Sequence, residues 1–184
     1  MTMFRMFLPT PSFQKTLNKN KQLRVLGVDP GYEKLGMAII DRKGGLDTLV
    51  HSECFKTKKT LSFEKRLLAL GERVEGIIEQ FKPDILAIEN LFVSNNQKTA
   101  MRVGEVRGVV IYACQKNNLS VLDFTPLQVK MAVTGYGKSD KKQVEKMVRL
   151  LVSIEKKTEE DDEIDAIAIA LTGSASFRLP TRDL

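Results

Sequence analysis

A chain of 184 residues, 42% apolar and 28% charged, suits one domain with a proper core, and its composition is ordinary for a globular protein without low-complexity tracts. No apolar run approaches the roughly 20 residues of a membrane helix, which excludes an integral membrane protein, and two cysteines read as reduced thiols suit the cytoplasm. The net charge of +6 is uneven: Arg5, Lys15, Lys19 and Lys21 put +4 on residues 1–22, leaving +2 for the rest (6 − 4), within which residues 95–149 hold ten Lys or Arg against four Asp or Glu.

A basic region beside an acidic one is what a metal-dependent nuclease needs, one to grip phosphate and the other to grip metal. A solvated charged face accounts for the same counts. Cys54 and Cys114 stand sixty positions apart without metal-ligand spacing and read as reduced thiols. His51 is the only histidine and falls in an alternating segment, as a surface strand residue would. A metal site must therefore be built from carboxylates, which favours Mg²⁺ or Mn²⁺ over Zn²⁺.

In chain order, residues 1–22 form an extension with Pro9, Pro11, Asn18 and Asn20, no sustained period and no convincing signal peptide; disorder is expected. Leu23–Val28 is a buried strand ending at the turn Asp29-Pro30-Gly31. Leu35–Ile40 is a second strand, closed by Asp41 and Gly44-Gly45, and Leu46–Phe55 alternates as a third, so the three form an antiparallel meander. Phe63, Leu67, Leu70, Val74, Ile77 and Ile78 recur at helical spacing within 61–80, with Phe81 next in the series. After Pro83, Ile85–Ile88 is a short buried strand ending on Glu89. A helix over about Gln97–Lys116 and a strand at Leu119–Phe124 follow. Residues 125–176 read as helical apart from a break at Gly135-Tyr136-Gly137, and 177–184 as a C-terminal tail. This order predicts one α/β domain over 23–176, a mixed five-stranded sheet flanked by helices.

Asp29 and Glu89 are each the first polar residue after an apolar strand, where a carboxylate is costly unless paired or bound to a cation. One such residue is usually a turn former or a cap; two on different strands fit that account less well. A third acidic group, Glu159 to Asp162 with Glu163 and Asp165, leads into the apolar run Ala166–Leu171. Thr158 as N-cap and acids complementing the helix dipole explain Glu159 through Asp162, but Asp165 lies deeper. In helical projection Asp165 is near both Asp161 and Asp162, so spacing does not choose between them. Two strand ends and one helix could thus supply four carboxylates for two divalent cations, which activate water and stabilise the leaving oxygen in phosphodiester hydrolysis.

The ordered set Leu26-Gly-Val-Asp-Pro-Gly31, Gly36, Ala87-Ile-Glu-Asn-Leu-Phe92, Ala100, Val103-Gly-Glu-Val-Arg-Gly108, Gln128-Val-Lys130, Gly135-Tyr-Gly137, Lys141 and Asp162-Glu-Ile-Asp-Ala-Ile-Ala168 resembles the RuvC family of Holliday junction resolvases, of RNase H-like fold with helices on both faces of the sheet. The likeness runs over residues 23–176 in the family's order. It implies that Asp29, Glu89, Asp162 and Asp165 are metal ligands and catalytic residues holding two Mg²⁺ ions, with Mn²⁺ able to substitute, and it selects Asp162 over Asp161. Some members carry histidine where this chain has Asp162. The resemblance further implies a homodimer on a four-way DNA junction, symmetric nicks with 5′-phosphate and 3′-hydroxyl ends, and a branch-migration motor as partner.

Phe92 matches a family aromatic that stacks on a base near the crossover, where an exposed ring suits an unpaired base; a core phenylalanine is the plain alternative. Lys130 and Lys141 match family lysines near the scissile phosphate, with Lys138 and Lys142 assisting in DNA binding. Gly104 and Gly108, four apart on one helix, allow close approach of another backbone, either the sheet or the family's dimer contact. Gly135-Tyr-Gly-Lys-Ser139 is not a P-loop, because Ala132 stands where the motif needs glycine and a helix precedes it. An actin-like ATPase needs two such domains. A ribonuclease of the same fold and a junction-binding protein without catalysis are the remaining rivals.

Overall fold

Residues 22–90, 97–154 and 160–176 are described by a computed structural model. Residues 1–21, Phe92, Thr158 and the tail 177–184 therefore lie outside the described residues. The elements are β1 (Leu23–Asp29), β2 (Lys34–Lys43), β3 (Leu46–Lys56), α1 (Phe63–Phe81), β4 (Ile85–Glu89), α2 (Gln97–Lys116), β5 (Ser120–Phe124), α3 (Pro126–Thr134), α4 (Lys141–Leu151) and α5 (Asp161–Ser176).

Strands apolar at consecutive positions must be covered on both sides. The sheet order is β3-β2-β1-β4-β5, antiparallel across the first three strands and parallel from β1 through β4 to β5. The two-residue period sorts the side chains. Leu26 and Val28 of β1 with Leu86 and Ile88 of β4 join α1 and α2 in one core. Val25 of β1 with Ile85 and Ala87 of β4 join α3, α4 and α5 in the other. The expected mixed sheet with helices on both faces is what the chain forms.

Two details differ from the pattern read in sequence. The segment 125–176 breaks twice, not once: Gly135 ends α3 in the left-handed region (φ 75°), and Val152 ends α4 in extended geometry. The last helix starts at Asp161, three residues beyond Thr158.

The seating of α5 positions the site. An added Cβ at Gly27 would lie 2.4 Å from the Ala166 carbonyl oxygen and 2.6 Å from the Ala170 Cβ, and one at Gly173 would lie 2.6 Å from the Ala87 Cβ. Small residues on helix and sheet thus let α5 lie directly on β1 and β4. Its N-terminus is thereby brought to the end of β1 where Asp29 pairs with Gly36 of β2.

Candidate active site

Period two decides where the strand-end acids point. Asp29 follows Val25 and Gly27 on the α5 side of β1, and Glu89 follows Ile85 and Ala87 on the same side of β4. The parallel register pairs Val28 with Ile88, so the two acids end adjacent strands side by side. The first turn of α5 supplies Asp162 and, one turn on, Asp165.

The four carboxylates share one electrostatic environment. Burial, then the neighbouring charges of Asp165, Glu89 and Asp162, push the Asp29 carboxyl up to about 7. Glu89 is raised by burial and by Asp165, against the opposing pull of Lys141 and Lys130. Asp165 is raised by burial, while Lys141 pulls it down. Desolvation and like charge act in the same direction on these acids, so cations are what such a group needs.

Geometry separates Asp162 from Asp161. The Asp162 side chain is 30% exposed and its backbone oxygen lies over Gly36, whereas the Asp161 side chain is 77% exposed. Asp162 is among the charges that raise Asp29, and both Asp161 and Asp162 raise Asp165.

Lys141 reaches this group from α4. Asp140 caps that helix in a capping box with Gln143, leaving Lys141 at the first helical position with Nζ 3.3 Å from Asp165 Oδ2 and 3.5 Å from Asp161 Oδ2. A lysine at a helix N-terminus opposes the dipole, and the Asp165 carboxylate offsets that. Lys130 on α3 is half-buried and faces Glu89. Lys138 and Lys142 are exposed on either side of the Asp140 cap. The segment 135–139 follows α3, with Ser139 buried and hydrogen-bonded to Thr134 and Tyr136, so it is a helix-to-helix turn.

Sequence reasoning did not single out Glu163, Glu160 or Lys34. Glu163 is only 4% exposed and accepts a 2.6 Å hydrogen bond from Ser52 Oγ of β3, tying the start of α5 to the sheet. Glu160 is held by Lys34 (2.6 Å) and Lys56, and Lys34 Nζ lies 3.6 Å from Asp162 Oδ2. Nothing in local spacing announces these contacts, which join residues more than 100 positions apart.

Ligand atoms of Cys54, Glu160 and Asp162 also lie within 4.8 Å of one another. Burial, then the charges of Asp162 and Glu160, push the Cys54 thiol up to about 11 in the metal-free chain. The carboxylate group around Asp29 is marked instead by shared burial and mutual charge. It contains neither histidine nor thiol, and all-oxygen donors suit a hard divalent ion such as Mg²⁺ or Mn²⁺.

A five-stranded mixed sheet covered by helices on both faces, with acids converging at its end from two strands and one helix, defines a nuclease of the RNase H-like fold. The family described as crossover junction endodeoxyribonuclease RuvC matches residues 25–173, and this chain belongs to it. It is 44% identical over 150 residues to the crossover junction endodeoxyribonuclease RuvC of Caldicellulosiruptor saccharolyticus, covering 81% of this chain and 90% of that protein. With the same enzyme of Thermosipho melanesiensis it shares 43% identity over 148 residues, covering 80% and 94%. The solved structure of T. thermophilus RuvC in complex with Holliday junction substrate superimposes with a TM-score of 0.78 at 31% identity, covering 83% of this chain and 93% of that one.

Proposed function

We propose that this chain resolves four-way DNA junctions as a homodimer, each protomer hydrolysing one phosphodiester bond to leave a 5′-phosphate and a 3′-hydroxyl. The observation that carries the reading is the convergence of four acids at one sheet end, Asp29 and Glu89 from adjacent strand ends and Asp162 and Asp165 from the start of α5.

Asp29, Glu89, Asp162 and Asp165 hold the metal. Mg²⁺, two ions per site with Mn²⁺ able to substitute, supplies activation of the attacking water and stabilisation of the leaving oxygen. The residues do the rest. Asp29 and Glu89, on strand ends of a rigid sheet, fix one side of the donor set, and the Ser52–Glu163 hydrogen bond helps fix the α5 side. Lys141 and Lys130 place ammonium groups beside the carboxylates, where they stabilise charge developing on the scissile phosphate. Lys138 and Lys142, exposed on either side of the α4 cap, grip flanking phosphates. Phe92, three residues beyond Glu89, stacks on an unpaired base at the crossover.

The dimer reading has its own support on α2. Met101, Glu105, Gly108 and Tyr112 form an exposed stripe at helical spacing, and an added Cβ at Gly108 would meet nothing within 4 Å. Among the described residues, packing against this chain's own sheet therefore does not account for that glycine. A branch-migration motor as partner rests on the family resemblance. A cytoplasmic location fits the absence, among the described residues, of any helix long and apolar enough to cross a membrane.

Asp29→Asn tests the site. Junction cutting in Mg²⁺ is abolished while junction binding survives; cutting that persists removes Asp29 from the metal site.

A further inference from the structure

On the other side of the same sheet end lies a cleft of about 220 Å³ lined by Tyr32, Glu33, Leu61, Phe63, Arg66 and Arg102. Tyr32 and Glu33 sit in the turn after Asp29, Arg66 stands in the first turns of α1, and Arg102 near the start of α2. Tyr32 lies three residues from Asp29, so the cleft begins at most roughly 10 Å along the chain from the carboxylates. It faces the core shared with α1 and α2, and the acids face α5.

Two arginines here have less partner than their burial calls for. The Arg66 side chain is 12% exposed, its nearest carboxylate, Glu33, is 3.9 Å away, and its buried Nε has no hydrogen-bond partner among the described residues. A guanidinium so placed is costly without an anion. Arg102 carries its charge over two rings, 5.3 Å from the Tyr32 centroid and 5.1 Å from that of Phe63, which meet edge to face at 6.1 Å. Such stacking fixes the plane of the guanidinium and leaves its N–H edge free to donate. Among the described residues Arg102 makes no ion pair. Two fixed guanidinium groups outweigh the single Glu33, which is itself half exposed.

We propose that this cleft is a phosphodiester-binding subsite, in which Arg66 and Arg102 together grip a backbone phosphate of the DNA strand that crosses the sheet end beside the carboxylates. Planar donors in a fixed fork match a phosphate's oxygens. The subsite anchors backbone and reads no base, so it adds affinity equally for every sequence. The inference rests on the junction-binding reading.

The test is the salt dependence of binding to a labelled four-way DNA junction without divalent metal, for the full chain, Arg102→Gln, Arg66→Gln and, as control, Lys43→Gln at the opposite end of β2. Each lost phosphate contact lowers the slope of log K against log salt by about 0.9. Because the two arginines share one phosphate, each variant is expected to lose a clear part of that slope, up to about 0.9, and to bind more weakly whatever the junction sequence. Arg102→Gln, on a half-exposed position, decides the matter if Arg66→Gln does not fold. An Arg102→Gln slope and affinity equal to those of wild type and the Lys43 control overturn the subsite. A wild-type chain that binds no junction overturns the functional reading, and the subsite with it.

Discussion

An added Cβ at Gly36 of β2 would stand 1.9 Å from the backbone oxygen of Asp162, so the start of α5 rests on that glycine with no room for a methyl group. The contact fixes how far Asp162 stands from Asp29, which pairs with Gly36 in the sheet. Gly36→Ala must lift the helix or bend the strand. Overpacking of this kind costs ~1–3 kcal/mol, and the displacement separates the carboxylates. Thermal unfolding together with Mg²⁺-dependent cleavage checks this: a lower melting temperature and a loss of activity larger than the stability loss explains are expected.

Asp29 gives a pH dependence with a definite sign. Its carboxyl is raised from 3.8 to about 7 in the folded chain, so folding disfavours the ionised form. The group costs nothing below about pH 4, its penalty grows between about pH 4 and 7, and it levels off above that at ~4 kcal/mol, at 1.36 kcal/mol per pKa unit. The metal-free protein is therefore less stable at pH 8 than this group allows at pH 5, and Asp29→Asn removes most of that difference. Denaturant melts at both pH values, with and without Mg²⁺, measure it. Mg²⁺ should stabilise the wild type, by ~2.7 kcal/mol at a hundred times its dissociation constant, and Asp29→Asn far less.

Lys141 lies 3.3 Å from Asp165 and pulls both Asp165 and Glu89 down. Lys141→Ala is expected to lower kcat on a junction by ~10²–10³, the effect of removing one donor aimed at developing charge. Junction affinity should change little, since one phosphate contact among many is lost. Single-turnover cleavage beside equilibrium binding separates the two.

Ser52→Ala leaves the buried Glu163 carboxylate without its 2.6 Å hydrogen bond. An unsatisfied buried acceptor costs ~1–3 kcal/mol, measurable as a shift in urea midpoint. Restoring a hydroxyl with threonine should recover most of it.

Where the candidate acids stand on strands and helix is largely legible without a structure, for identifiable reasons. Asp29 and Glu89 stand out because each interrupts an apolar strand at its end, and alternation puts both on the face of Val25 and Ile85. The helix bearing Asp162 and Asp165 is announced by acids running into an alanine- and isoleucine-rich segment. What spacing leaves open is tertiary. Helical spacing does not distinguish Asp161 from Asp162, whose exposures differ in the fold, and it does not announce that β1 and β4 pair in parallel across the whole of α1. Glu163 resembles a dipole-complementing acid until Ser52, 111 positions earlier, is found beneath it. Arg66 looks like one more polar residue on an amphipathic helix, and its burial against the Tyr32 turn belongs to the fold alone. Gly108 reads in sequence as a sheet contact, a dimer contact or both, and only the fold shows that no described atom stands within 4 Å of an added Cβ there.

The most direct test of the central claim is Mg²⁺-dependent cleavage of a mobile four-way DNA junction, set beside linear duplex and an RNA–DNA hybrid. Paired, ligatable nicks on the junction alone are expected. Cutting of the hybrid with the junction left intact would keep the carboxylate site but contradict junction resolution as the activity of this chain.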